Sequence, residues 1–360
     1  MQPNDSQRPR VLWLDPLRFV AALAVMLYHF GFRGYAADSL SVMPYPFLAG
    51  LAKYGFLGVD LFFLISGFVI LMTAERTLTA RAFCVSRAIR LYPAFLVCCS
   101  ITFVTKALLG ESNTSLTEYL LNMTLVGGLT GVHYVAGVYW SLIVELKFYI
   151  LMALIIRFDG VKRIETVYWL WLVAAAASSA IGWMPLKIAL IGGFAHYFVA
   201  GGALYLIHRR GVSTGRIGLL TISGAWVLWS VYGHTLQLQT QFSTRFSPLL
   251  ACVIASGFFV VFLGAPYLQR ERRSDSSRAS RFLVLLGAIT YPLYLVHEDL
   301  GYILINWLYP AFNAHVVLVL TIVSMLTLSY AIQKFIEAPA MRILKDRFVK
   351  TPARKLLVQP

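Results

Sequence analysis

Ten stretches of apolar sequence, each close to the length of a membrane-crossing helix, run through this chain. They fall at about 11–31, 54–74, 91–109, 140–157, 166–183, 187–207, 216–233, 247–264, 282–308 and 315–336. A hydrocarbon core about 30 Å thick takes roughly 20 residues of helix. In lipid, backbone polar groups have to be satisfied within each segment, which favours helices over open strands. Composition agrees: 59% of the 360 residues are hydrophobic and 13% charged, against about 25% charged in a soluble domain. The expected fold is all-α, a polytopic integral membrane protein with about ten transmembrane helices.

The cations choose an orientation. With the N-terminus on the inner side and ten alternating spans, 24 of the 31 Lys and Arg residues fall on inner segments and five on outer ones. Arg18 and Lys147 lie within spans. That bias follows the positive-inside rule and predicts both termini cytoplasmic. The net charge of +15 then reports topology and contact with anionic lipid, and no nucleic-acid partner is expected.

Cys84, Cys98, Cys99 and Cys252 sit in or beside apolar runs without metal-ligand spacing, so neither a metal site nor a disulfide framework is expected. The first apolar segment carries Asp15, Arg18 and His29, which suits a retained helix rather than a cleaved signal peptide. The expected organisation is one transmembrane domain over 1–345 followed by a basic cytoplasmic tail over 346–360. The sequons at Asn113 and Asn122 in the long outer connection are read as chance.

Charge within a span is costly, so each instance asks for a reason. Arg18 and His29 are eleven residues apart, which puts them about 20° apart around one helix and about 16 Å apart along it. Asp60 lies in the second span, with Lys53 or Arg18 as candidate partners. Glu145 sits near the outer start of the fourth and is expected to face the bundle interior. Tyr291, Tyr294 and His297 share one face of the ninth, beside Pro292. Arg87 and Arg90 are three apart on a short helix expected to end at Tyr92–Pro93. They read either as lipid anchors or as a phosphate clamp, which suits guanidinium geometry.

These segments together resemble the acyltransferase-3 family of membrane carbohydrate O-acyltransferases, over essentially the whole chain. LDPLRFVAALAVMLYHF, holding Arg18 and His29, resembles the family's first helix and GVDLFFLISGFVI its second. RAIRLYP resembles its Arg-rich segment, WSLIVELKFY its Trp-Ser-Leu-x-Val-Glu stretch, YPLYLVH its Tyr-x-x-Tyr-Leu-x-His stretch, and FIEAPAMR its C-terminal Glu-x-Pro. Two departures stand out. Pro16 and Phe19 flank Arg18 where glycines are usual, and Glu298–Asp299 follow His297 where His-x-Pro is typical. The SGNH esterase-like domain that some members append is not expected here.

The resemblance implies an acyltransferase, most often an O-acetyltransferase. Such an enzyme moves an acyl group from cytoplasmic acyl-CoA to a hydroxyl of a cell-surface or exported carbohydrate, at the inner membrane. Acetyl-CoA is then a co-substrate, and no permanently bound cofactor is expected. His29 is the expected general base, with Glu145 orienting it or holding the acceptor and Arg18 holding the donor or stabilising developing charge. Arg87, Arg90 and Arg18 are the expected donor-binding cations. Asp60, Ser141, Tyr294 and His297 are acceptor-binding or supporting residues. A transient acyl-His29 stays open, as does homo-oligomerisation. The competing expectation is a non-enzymatic transporter or flippase for a glycan or lipid-linked sugar, with buried charge lining a permeation path.

Overall fold

The computed structural model describes residues 11–109, 114–125, 127, 131–270 and 278–350. Among them helix is the regular structure, joined by short turns and irregular segments, with no strand. Ten main helices correspond to the ten apolar segments: α1 Leu14–Tyr28, α2 Leu57–Ala74, α3 Ala80–Leu108, α4 Trp140–Arg157, α5 Ile164–Ile181, α6 Ala195–Arg210, α7 Thr214–Gln241, α8 Pro248–Arg270, α9 Arg278–Leu308 and α10 Ala314–Ile332. Eight of them are long and apolar enough to cross a membrane; α6 and α7 are the two that are not. α6 is only 16 residues long, yet it is buried along nearly its whole length by its neighbours. The expected tail opens in a helical turn at Asp346–Lys350, and 351–360 lie outside the described residues.

Close helix packing here rests on small residues, as it does wherever lipid removes the hydrophobic drive between helices. A Cβ at Gly67 of α2 would run into the Phe198 carbonyl oxygen of α6, and one at Gly201 of α6 into the Leu64 carbonyl oxygen of α2. The two backbones therefore touch. α1 packs differently, with Asp15 against Gly287, His29 against His297 and Phe30 against Gly301 of α9. Those pairs ascend together in both helices, so α1 and α9 run parallel.

The buried apolar residues form two clusters. One surrounds α2 and α6 with parts of α4, α5, α7 and α8. The other joins α3, α9 and α10 to the connection before α4. α1 serves both, giving Leu14, Ala21 and Tyr28 to the first and Ala22, Val25, Met26 and Phe30 to the second. Polar side chains buried at this junction belong to neither.

One element differs from expectation. The helix bearing Arg87 and Arg90 does not stop at Tyr92–Pro93 but continues through Pro93 as the single 29-residue α3. Beside the proline the Tyr291 hydroxyl of α9 donates to the Leu91 carbonyl at 3.3 Å, tying the two helices together.

Candidate functional site

His29 sits where α1 gives way to a π-helical turn, His29–Arg33. Such turns widen a helix and recur at functional sites. The imidazole is 3% exposed. Its Nδ1 lies 2.9 Å from the Val25 carbonyl oxygen and 3.1 Å from Nε2 of His297, itself fully buried on α9. Its Nε2 faces Oε1 of Glu298 at 3.3 Å, an ion-pair distance but not an aligned hydrogen bond.

Three further groups close this cluster. Glu298 Oε2 accepts from the Val138 backbone N–H at 2.8 Å, which straps the connection before α4 over the histidines. Lys106 at the end of α3 pairs with Asp299 at 2.6 Å and donates to the Val135 carbonyl at 3.1 Å. Arg33 pairs with Asp38 at 2.6 Å. Asn122 belongs to the same strap. It is buried, donates to the Glu118 and His133 carbonyls and accepts from Val135 N–H, so its amide is committed to holding the connection in place.

Ser141 and Tyr294 come together below the histidines. Their hydroxyls are 2.7 Å apart, and the Tyr294 and His297 rings are 5.8 Å apart. Deeper in the bundle, Glu145 Oε1 accepts from the Ser66 hydroxyl at 2.9 Å and the Tyr149 hydroxyl at 2.6 Å. None of its hydrogen bonds reaches His29; the carboxylate beside His29 is Glu298.

Arg87 lies over the rings of Phe83 and Tyr149, at 5.8 and 6.0 Å from their centroids. No ion pair to a carboxylate engages it among the described residues. Arg90 is different: it is paired with the buried Glu337 and stacks over Tyr291. Arg18 contacts Asp15 at 3.3 Å, one turn back on its own helix. Asp60 faces away from all of this toward Tyr197 of α6, while Lys53 donates to the Arg245 carbonyl.

Two groups of polar side chains thus lie within the bundle. In one, Arg87, Tyr149, Glu145 and Ser66 touch in turn, with Arg90 over Tyr291; in the other, Ser141 and Tyr294 lead to His297, His29 and Glu298. Near Arg87 and Arg90 the end of the bundle is rich in cations: Arg90 pairs with Glu337, Arg210 with Glu75 and Arg216 with Glu165, which brings together the starts of α3, α5 and α7 and the ends of α2, α6 and α10. Of the expected site residues, the structure gathers His29, His297, Tyr294 and Ser141 at one end, with Glu145 midway and Arg87 and Arg90 at the other. Arg18 is engaged with Asp15 on its own helix, and Asp60 with Tyr197 of α6. Glu298 was missed as a partner. Its signal was present: Tyr291, Tyr294 and Glu298 follow a three-then-four spacing on one helical face.

The family model for the acyltransferase-3 group, described as "Acyltransferase domain", matches residues 11–334. The chain belongs to this family, and its eight long apolar helices make it a multi-pass membrane protein. It is similar to Acyltransferase MdmB of Streptomyces mycarofaciens, 26% identical over 329 residues that cover 80% of this chain and 79% of the relative. It is also similar to Nodulation protein 10 of Rhizobium leguminosarum bv. viciae, 29% identical over 166 residues, 40% of this chain and 43% of the relative. With the O-acetyl transferase of Shigella phage Sf6 it shares 37% identity over 89 residues, a quarter of each chain. The chain thus spans under half the length of two of these three relatives. No solved structure matches it.

Proposed function

We propose that the protein is an acyl-CoA-dependent O-acetyltransferase of the bacterial inner membrane, acting on a hydroxyl of a cell-surface or exported carbohydrate. The observation that carries this reading is the pair of buried polar clusters, one around His29 and one at the basic end of the bundle. Cations gather at that end, so the positive-inside rule favours it as the cytoplasmic face, with ten crossings and both termini there. Acyl-CoA is cytoplasmic and bears phosphates; Arg87, with no carboxylate holding it, is the first group suited to them. Arg90 can join by exchanging Glu337 for phosphate.

The pantetheine arm then passes Tyr149, Glu145 and Tyr291, which brings the thioester toward His29. A sugar hydroxyl is a poor nucleophile at neutral pH, and an imidazole is suited to removing its proton during attack. His29 takes the proton as the oxygen–carbonyl bond forms. The carbon–sulfur bond breaks, and the leaving thiolate takes the proton from His29. Ser141 and Tyr294 offer the acceptor hydroxyls to bond to. Arg18 contributes positive charge beside the donor path. The O-acetyl transferase among the relatives supports acetyl as the group moved.

Mass spectrometry of surface glycans from cells with and without the gene tests the reading. The mass increment of an acetyl ester should appear with the gene, and vanish again with His29→Ala. Identical glycan masses in all three strains would refute it.

A further inference from the structure

Two separate sets of backbone carbonyls fix the protons of the histidine pair. His297 Nδ1 faces the carbonyl oxygens of Leu293 and Tyr294 at 3.1 and 3.0 Å. Carbonyls only accept, so this nitrogen carries a hydrogen. A fully buried neutral imidazole has one hydrogen to place, so His297 Nε2 is bare and accepts. Its partner at 3.1 Å is His29 Nδ1, which must therefore donate. The second set reaches the same answer independently: the Val25 carbonyl oxygen lies 2.9 Å from His29 Nδ1 and also requires a hydrogen there.

That leaves His29 Nε2. It is buried, lacks a hydrogen bond, and faces Glu298 Oε1 at 3.3 Å. A bare nitrogen lone pair against an ionised carboxylate would be repulsive. With two protons between them the pair would be cationic. With one proton the contact is attractive, whether that proton sits on nitrogen or on oxygen. The other Glu298 oxygen is occupied by Val138 N–H. The remaining charged groups at this end are already matched, Arg33 with Asp38 and Lys106 with Asp299.

We propose that His297 locks His29 with its fixed hydrogen on Nδ1, so that Nε2 is the reacting nitrogen, and that Nε2 shares one proton with the Glu298 carboxyl. His297 and Glu298 are then positioning residues acting through His29. The inference rests on His29 being the base of the transfer reaction, and completes its proton count. When the acceptor hydroxyl arrives, the proton rests on Glu298 Oε1, which is not aligned for a hydrogen bond to Nε2, so the Nε2 lone pair is open to the hydroxyl. The hydroxyl O–H bond breaks toward Nε2 as the carbon–oxygen bond forms. The carbon–sulfur bond breaks, and the thiolate takes the proton from Nε2. Glu298 ends with the proton it began with, so no other acid or base enters the cycle.

The variant that separates this role from a structural one is Glu298→Gln. Its carboxamide oxygen still accepts from Val138 N–H, so the strap stays anchored, but the amide cannot trade a proton with Nε2. The full chain, labelled with 15N-histidine in lipid nanodiscs, gives the first readout without any substrate. His29 and His297 signals are assigned by their loss in His29→Gln and His297→Gln. Hydrogen on Nδ1 of both residues is expected; a bare Nδ1 on His29 overturns the lock. The second readout is kinetic. Glu298→Gln should lower kcat about 100-fold while leaving the KM for acetyl-CoA within about twofold; unchanged kcat overturns the shared proton. Because the nitrogen signals need no turnover, they test the proton arrangement even if the chain proves to transfer nothing.

Discussion

His29 Nδ1 and His297 Nε2 lie 3.1 Å apart across two helices that run parallel, α1 and α9. The contact joins residues 268 positions apart in sequence. Helix spacing reaches only within one segment, so this pairing depends on how α1 and α9 meet. Gly301 lets Phe30 in and Gly287 lets Asp15 in, and the register so fixed brings the two imidazoles together.

Removing the His29 imidazole should cost the general-base contribution, about 10²- to 10⁴-fold in kcat. His29→Ala should remain inserted and extract with detergent like the parent. Acetyl transfer measured in nanodiscs checks this; activity within tenfold of wild type would contradict it.

Arg87 and Arg90 should behave differently despite their matched sequence context. Arg87→Ala should raise the KM for acetyl-CoA roughly 10-fold, consistent with losing a charge-assisted contact of about 1.5 kcal/mol, and leave thermal stability unchanged. Arg90→Ala strands the buried Glu337 carboxylate and should lower the melting temperature. A double variant with Glu337→Gln should recover much of that loss. Titration with acetyl-CoA and thermal unfolding of the four proteins measure both effects.

Gly137 stands against the Glu298 carboxylate, and a Cβ there would sit 2.8 Å from Oε2. Gly137→Ala should push Glu298 off His29 and reduce kcat about 10-fold, while the overpacking costs on the order of 1–2 kcal/mol of stability. Full kcat in a folded variant would show that Glu298 need not hold its present place.

Lys106 and Asp299 form the outer clasp of the same site. Lys106→Met leaves Asp299 without its cation and should reduce both stability and activity. Adding Asp299→Asn removes the stranded charge and should restore stability. Melting temperatures of the single and double variants check the coupling.

Much of the architecture was legible in the sequence, for a physical reason. Lipid demands a long apolar run for each crossing, and every main helix answers to one of the ten runs. His29 was legible because a histidine in such a run stands out. Glu298 shares a helical face with Tyr291 and Tyr294, but its partner was not legible, because in sequence it looks like a departure from a familiar pattern. Only the approach of α1 and of the Val138 strap shows what it touches. Glu145 has the opposite history. Its position inside the bundle was foreseeable, and Tyr149 lies at helical spacing from it, but its partner Ser66 was not foreseeable, since it comes from another helix. Arg90 and Glu337 lie 247 residues apart, and no local pattern links them.

The central claim is that His29 carries acyl transfer from a donor that arrives at the basic end. Sealed proteoliposomes sorted by orientation, with a hydroxyl-bearing oligosaccharide inside or outside, test it directly. Acetyl-CoA labelled in its acetyl group is supplied on the side of the basic end, and label on the oligosaccharide is counted. Wild type should label oligosaccharide on the opposite side, and His29→Ala should label none. Equal labelling by both proteins, or label taken up only when acetyl-CoA is given at the His29 end, would contradict it.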